Sequence, residues 1–233
     1  MYRQDEFLAA LAKFARRLLT PYEIDTTLDA LVRKVTTVLE VTGSAVSLEL
    51  EGQLQFAAAS GDVAEALQRG ELRAGVGPSA AALDQARTVA VPEVQACEQA
   101  WPRYVADARG VEVAAVAALP MRLVETKVGV LTLFADRPRP WPAEDLAAAQ
   151  VFADMATGYL VNANTWRQQQ QLTAHLQTAL ESRVIIEQAK GIIAESRRIT
   201  PAAAFPLIRA HARTHRVPMR TVAQAIVEVG LRI

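Results

Sequence analysis

An α+β fold is predicted, with an antiparallel sheet in the earlier part of the chain and an all-helical end. Three observations predict it. Apolar residues recur at helical spacing to about residue 40, alternate every second residue in two pairs of short segments, and return to helical spacing from Ala143 onward. Each alternating pair is joined by a few turn-forming residues, which makes hairpins and so antiparallel pairing. The alternating pattern does not return after Phe134.

The first helix is predicted from Asp5 to Leu19, with Phe7, Leu8, Leu11, Phe14, Ala15 and Leu18 at helical spacing before Thr20-Pro21 stops it. A second spans Asp25 to Leu39, with Leu28, Leu31, Val32, Val35 and Leu39 on one side and Gly43 as its closing residue. Ser44–Glu51 alternates Val46, Leu48 and Leu50, and Gly52-Gln53 turns it into a strand over Leu54–Ala59. Short helices are expected at Val63–Arg69, Ser79–Ala86 and Gln99–Ala108, with a strand at Thr88–Val91. The Gly75-Val76-Gly77-Pro78 loop reads as a turn, the other reading being the lining of a ligand pocket. Val111–Leu123 and Lys127–Phe134 form the second hairpin around Val124-Glu125-Thr126.

A long helix is predicted from Ala143 to about Arg198. Leu146, Ala149, Ala153, Ala156, Leu160 and Ala163 repeat at the spacing of a helix–helix seam, which resumes at Leu172, Leu176 and Ala179 after the polar run Arg167–Gln171. Helical period on both sides favours helix over disorder through that run. Thr200-Pro201 is an N-cap followed by proline at the first helical position, opening a helix to about His215 with Ala204, Leu207, Ile208 and His211 inward. Arg209, Arg213 and Arg216 share a stripe at i, i+4, i+7. Pro218 opens a last helix carrying Val222, Ala223, Ile226 and Val229. These elements divide into a sensor-sized unit over 1–165 and a helical unit over 166–233.

The 233 residues carry equal numbers of acids and bases, but unevenly placed. From Leu172 onward nine Lys/Arg face four Glu and no Asp, leaving +5, while residues 1–171 carry −5. Such a split directs an anionic partner to one module. The single cysteine, Cys97, excludes an internal disulfide and points to a reducing compartment. Charges at Arg3, Asp5, Glu6, Lys13, Arg16 and Arg17 break up any leader, and the longest apolar stretch, Val113 to Pro120, is too short for a bilayer. A cytoplasmic protein is expected.

The stretch Arg183-Val184-Ile185-Ile186-Glu187-Gln188-Ala189-Lys190-Gly191-Ile192-Ile193 is the most informative. On a helix of about 100° per residue, Arg183 and Lys190 fall within roughly 20° of each other, with Arg197 behind them and Ile185, Ala189 and Ile192 opposite. Together with Leu180-Glu181-Ser182, Ala204-Phe205, Arg209 and Arg220-Thr221-Val222-Ala223, it resembles the ANTAR domain, a three-helix RNA-binding module of bacterial antiterminators, over about 172–230. The helix–helix–hairpin–mixed–hairpin–helix order before it resembles a GAF sensory domain. The resemblance implies a sensor-controlled antitermination regulator. Its dimer, paired through the N-terminal and linking helices, would bind tandem RNA stem-loops and prevent a terminator from forming. It places Arg183, Lys190, Arg209, Arg213 and Arg220 on the RNA-facing surface, to which the stripe adds Arg216.

Other chemistry is not supported. Lys190-Gly191 lacks the glycine run of a phosphate loop. His211 and His215 are four apart but lack the glutamate of a zinc helix, and His175 is the remaining histidine. None precedes residue 175, which removes histidine-ligated haem from the sensor, and Cys97 followed by Glu98 departs from the bilin-attachment pattern; it reads as a small buried apolar residue. Glu144 and Asp145 complement a helix start. No catalytic residue, metal or cofactor is expected, and no residue identifies a sensor ligand. Two alternatives stand beside RNA binding: a DNA-binding regulator using helix-turn-helix geometry, and a GAF module whose helical tail binds protein.

Overall fold

The computed structural model describes residues 2–233, with the side chains of 167, 168, 170–176 and 179 left aside. Two compact units emerge, 1–164 and 165–233. The first opens with helices α1 (Gln4–Arg17) and α2 (Ile24–Leu39). A hairpin, β1 (Gly43–Leu50) and β2 (Gln53–Ala59), follows, then α3 (Asp62–Ala74), α4 (Pro78–Gln85), β3 (Val89–Val91), a 3-10 turn at Val94–Cys97 and α5 (Pro102–Gly110). The second hairpin is β4 (Ala115–Leu123) with β5 (Thr126–Ala135), and α6 (Ala143–Arg197) comes next. The five strands lie in the order β2-β1-β5-β4-β3, all antiparallel.

Helices cover both faces of this sheet, so successive residues of β4 are buried whichever way they point: all of Ala115–Met121 is inaccessible. Ala115, Ala117, Leu119 and Met121 join α1, α2 and the start of α6 in the larger core, around Leu31, Phe152 and Tyr159. Val116 and Ala118 face α3, α4 and α5 through Leu67, Val105 and Ala82. The Tyr159 hydroxyl donates to the Phe14 carbonyl, and the Tyr22 hydroxyl donates to the Tyr159 carbonyl at 2.8 Å. These bonds fasten α1 and the α1–α2 connection to α6 and make the N-terminal helix part of the domain core.

Several expectations shift. Gly43 does not close α2; Glu40, in left-handed geometry at φ 50, does. Gly43 instead starts β1, where a Cβ would meet Ala64 Cβ at 2.8 Å. Val111–Ala114 is not strand, because Glu112 takes φ 57 and turns the chain. The helix expected from Gln99 begins at Pro102. Ala149, Ala153 and Ala156 are spent inside their own unit, packed in the larger core, so the seam is an intrachain one. Its continuation at Leu172, Leu176 and Ala179 lies outside the described residues. Asp145 does more than complement a helix dipole: it is 1 % exposed and pairs with Arg139 at 2.5 Å.

In the second unit, the later part of α6 packs with α7 (Pro201–His215) and α8 (Met219–Glu228). Thr200 caps α7, accepting from the Ala203 N–H at 3.3 Å. Ala189, Ile193, Ala204, Ile208, Val222, Ala223 and Ile226 form the core. Among the described residues, no helix is long and apolar enough to cross a membrane.

Candidate nucleic-acid interface

The buried stripe of α6 differs from the sequence expectation. Ile192 is 43 % exposed, whereas Ile193 is buried beside Ala189. Ile186 packs partly against the same core. Ile185 packs there as well, so at about 100° per residue the stripe widens toward Lys190, which flanks it instead of standing opposite. Lys190 is 17 % exposed, its ammonium 2.8 Å from both Glu187 carboxylate oxygens and 5.9 Å from the Phe205 ring centroid. Burial in an ion pair makes Lys190 as much a tie between α6 and α7 as a contact for a partner.

Around it a basic surface still assembles. Only residues 198–200 join α6 to α7, which keeps the two helices close at that end. The Lys190–Phe205 contact fixes which faces meet. Arg209 and Arg213 follow Phe205 at i+4 and i+8, about 40° and 80° around α7, and Arg183 precedes Lys190 by two turns, so helix geometry puts the first two on the Phe205 side of α7 and Arg183 on the Lys190 side of α6. Arg183, Arg209 and Arg213 are exposed and have no side-chain hydrogen bond or ion pair among the described residues. Glu187 lies within the patch.

The other two expected residues lie elsewhere. Arg216 is the left-handed cap of α7 at φ 54, so the helical stripe ends before it. Arg220 is held by Glu181 at 3.0 Å. Glu181 is about 160° around α6 from Arg183, so Arg220 meets that helix on another side. Arg197, expected near Lys190, donates instead to the Ile233 main-chain oxygen. Sequence reasoning missed the pinning role of Phe205, although its position four residues before Arg209 was a usable signal.

The first unit contains a polar cluster that sequence reasoning also missed. Glu71 on α3 is 2 % exposed. Its Oε1 accepts from the Ser79 N–H at 2.6 Å and the Ala80 N–H at 3.2 Å, at the start of α4. Its Oε2 lies 2.9 Å from Ser79 Oγ, which is in turn 2.9 Å from Thr132 Oγ1 and accepts from Gln68 Nε2 at 3.2 Å. Burial raises the Glu71 carboxyl to about 7, against the opposing pull of the Ser79 and Ala80 hydrogen bonds. The Tyr104 hydroxyl, buried and without a hydrogen-bond partner among the described residues, is pushed well up by its own burial and then by the Glu71 charge. Beside Glu71 opens a cleft of about 630 Å³, lined among others by Glu49, Arg73, Gly75, Asp84 and Lys127. Gly75 thus lines a cleft, while Gly77 leaves room for Glu71: a Cβ there would stand 2.6 Å from its side chain. Cys97 is half-buried against the smaller core, and burial pushes its thiol up. Among the described residues no cluster of His, Cys, Asp or Glu is placed to hold a metal.

Comparison with known proteins agrees with this division. The GAF domain family model matches residues 23–160, and the ANTAR domain family model matches residues 174–227. Among solved structures, the chain is similar to the GAF domain of an Acinetobacter phosphoenolpyruvate-protein phosphotransferase, at 14 % identity and TM-score 0.56 over 71 % of this chain and 97 % of that one. It is similar to free methionine-R-sulfoxide reductase from Neisseria meningitidis at 13 % identity and TM-score 0.54, over 68 % and 90 %. The phycoerythrobilin-bound GAF domain of a cyanobacterial phytochrome gives 14 % and 0.55, over 69 % and 97 %. Identities this low establish shared fold alone. No curated protein matches the chain. The chain belongs to the GAF domain family over its first unit, and it joins that domain to an ANTAR domain in the second.

Proposed function

We propose that the protein is a cytoplasmic transcription antitermination regulator, in which the GAF unit controls binding of tandem RNA stem-loops by a pair of ANTAR units. What supports this reading is the set of exposed guanidinium groups, Arg183, Arg209 and Arg213, unpaired among the described residues, on helix faces that continue from Lys190 and its Phe205 contact. Guanidinium forks bridge phosphate oxygens, and a helical hairpin edged with them suits the backbone of a folded RNA. Arg216 extends the interface at the end of α7, whereas Arg220, held by Glu181 on another side of α6, stands apart from it. The role is binding and regulation, not catalysis.

Salt titration against a two-stem-loop RNA tests this. Arg209→Ala together with Arg213→Ala should weaken binding and lower the slope of log K against log salt by about 0.7–0.9 for every phosphate left without its cation. Lys190→Ala should lower it too, but with some loss of stability, because it also removes the tie to Glu187 and Phe205. Unchanged affinity and slope in the double arginine variant would remove this surface from the reading. Duplex DNA in competition covers the alternative partner. Against that partner stands the start of α8, where a recognition helix would read bases: its Arg220 is occupied by Glu181.

Two copies would pair along the linking helix. Leu180 and Val184, one turn apart and 65 % and 51 % exposed, lie on the side of α6 turned away from its buried stripe. On α1, Leu8 is similarly open at 57 %. Two linked basic faces would engage two linked stem-loops with the gain of avidity, and the GAF unit would act by changing the spacing of those faces.

A further inference from the structure

Two imidazoles end α7. The ring centroids of His211 and His215 are 4.0 Å apart with planes inclined by 27°, a stacked pair. His215 Nδ1 is also 2.9 Å from the His211 main-chain oxygen. His211 is half-buried and His215 exposed, so the outer ring is held by two contacts while its far face is open. Exposed side chains ordinarily sample several rotamers, and ordering one for a ligand has a cost that this ring has already met. Capping of a last-turn carbonyl accounts for the hydrogen bond. It does not require the rings to lie face to face.

The surroundings point to the kind of ligand. Arg216 follows directly, swung off the helix at φ 54 and with no side-chain partner among the described residues. Between 172 and 233 the one Phe, Tyr or Trp is Phe205, and its face is taken by Lys190. A planar π surface beside a free cation matches a planar heterocycle attached to a phosphate, that is, a nucleotide. Resting on the RNA-binding reading above, we propose that His215, backed by His211, is a stacking platform for one unpaired base of an RNA loop, with Arg216 meeting the neighbouring phosphate. Stacking accepts any base but rewards the larger ring area of a purine.

The test uses the full chain and a stem-loop RNA selected against it from a pool randomised in the loops. Each loop nucleotide is then made abasic in turn. One abasic position should weaken wild-type binding by about 5- to 150-fold, the range expected when a base–aromatic stack is removed. His215→Ala should lose as much on intact RNA and nothing further on that abasic RNA, so the two losses are not additive. His215→Phe should stay within about twofold of wild type. The proposal fails if His215→Ala binds intact RNA normally. It also fails if the variant loses equally on intact and abasic RNA, as a merely weakened helix end would. Failure of the underlying reading looks different: the selection returns no RNA that the wild-type chain binds saturably. A bound RNA that responds to Arg209→Ala and Arg213→Ala but not to His215→Ala overturns the platform alone.

Discussion

Glu71 shows how one buried group couples stability to pH. Its carboxyl sits near 7 in the folded chain against an ordinary 4.5. The fold therefore favours the protonated form, and the associated stability is fully present below 4.5 and lost as pH rises through about 7. The full window is worth about 3 kcal/mol at most. Both protonation states can complete the local hydrogen bonds. A protonated Oε2 donates to Ser79 Oγ, which then donates to Thr132 Oγ1; an ionised one accepts from Ser79 Oγ, and Thr132 donates instead. Glu71→Gln imitates the first state, since the amide oxygen still accepts from the Ser79 and Ala80 N–H groups. Melting temperature measured from pH 5 to 8 should therefore fall with pH in the wild type and stay nearly flat in Glu71→Gln, with the variant the more stable at pH 8. A variant that tracks the wild type at every pH would show that Glu71 does not titrate in this range.

At the scale of elements, the two hairpins and the long helix depend on glycines in opposite ways. At Gly129 in β5, a Cβ would stand 2.2 Å from the Ser47 carbonyl oxygen of β1, and a strand backbone cannot give way without breaking its ladder. Gly129→Ala should cost about 3 kcal/mol or more in urea unfolding. Gly158 in α6 is exposed and a Cβ there meets nothing within 4 Å, so Gly158→Ala should instead stabilise by about 0.5–1 kcal/mol. Sequence periodicity made the hairpins, the long helix and the Thr200-Pro201 start of α7 legible, because each is dictated by residues close together in the chain. It did not make the sheet order legible, since pairing β1 with β5 depends on residues more than eighty apart. Paired isoleucines at Ile185-Ile186 and Ile192-Ile193 allow two apolar stripes about 100° apart; both members of the first pair pack, and docking of α7 and α8 selects Ile193 over Ile192 in the second. Glu71 fell just past the helix expected at Val63–Arg69, and nothing in Gln68–Arg73 announces that α4 and β5 will close over it.

For the whole molecule, an uneven charge distribution and a repeated binding face have to work together. With −5 over residues 1–171 and +5 beyond, RNA is repelled by one module and drawn to the other. A single ANTAR unit offers Arg183, Arg209, Arg213 and Arg216 beside a half-covered lysine, a modest number of phosphate contacts for tight binding at physiological salt. Pairing of two copies, as proposed, would make the second engagement intramolecular, and linked sites of matching span can gain about 10²- to 10⁴-fold in this way. The apolar side of α6 would offer the contact, so Leu180→Ala with Val184→Glu removes apolar area and places like charges where two helices would meet, while no charge is added three or four residues from Arg183. Light scattering should give a dimer for the wild type and a monomer for this variant at micromolar concentration. Affinity for two linked stem-loops should fall toward that for one, while affinity for a single stem-loop stays within about twofold, since each face is intact. If the wild type scatters as a monomer with or without RNA, avidity between copies is removed. Affinity would then rest on the contacts within one unit, Arg183, Arg209 and Arg213 above all.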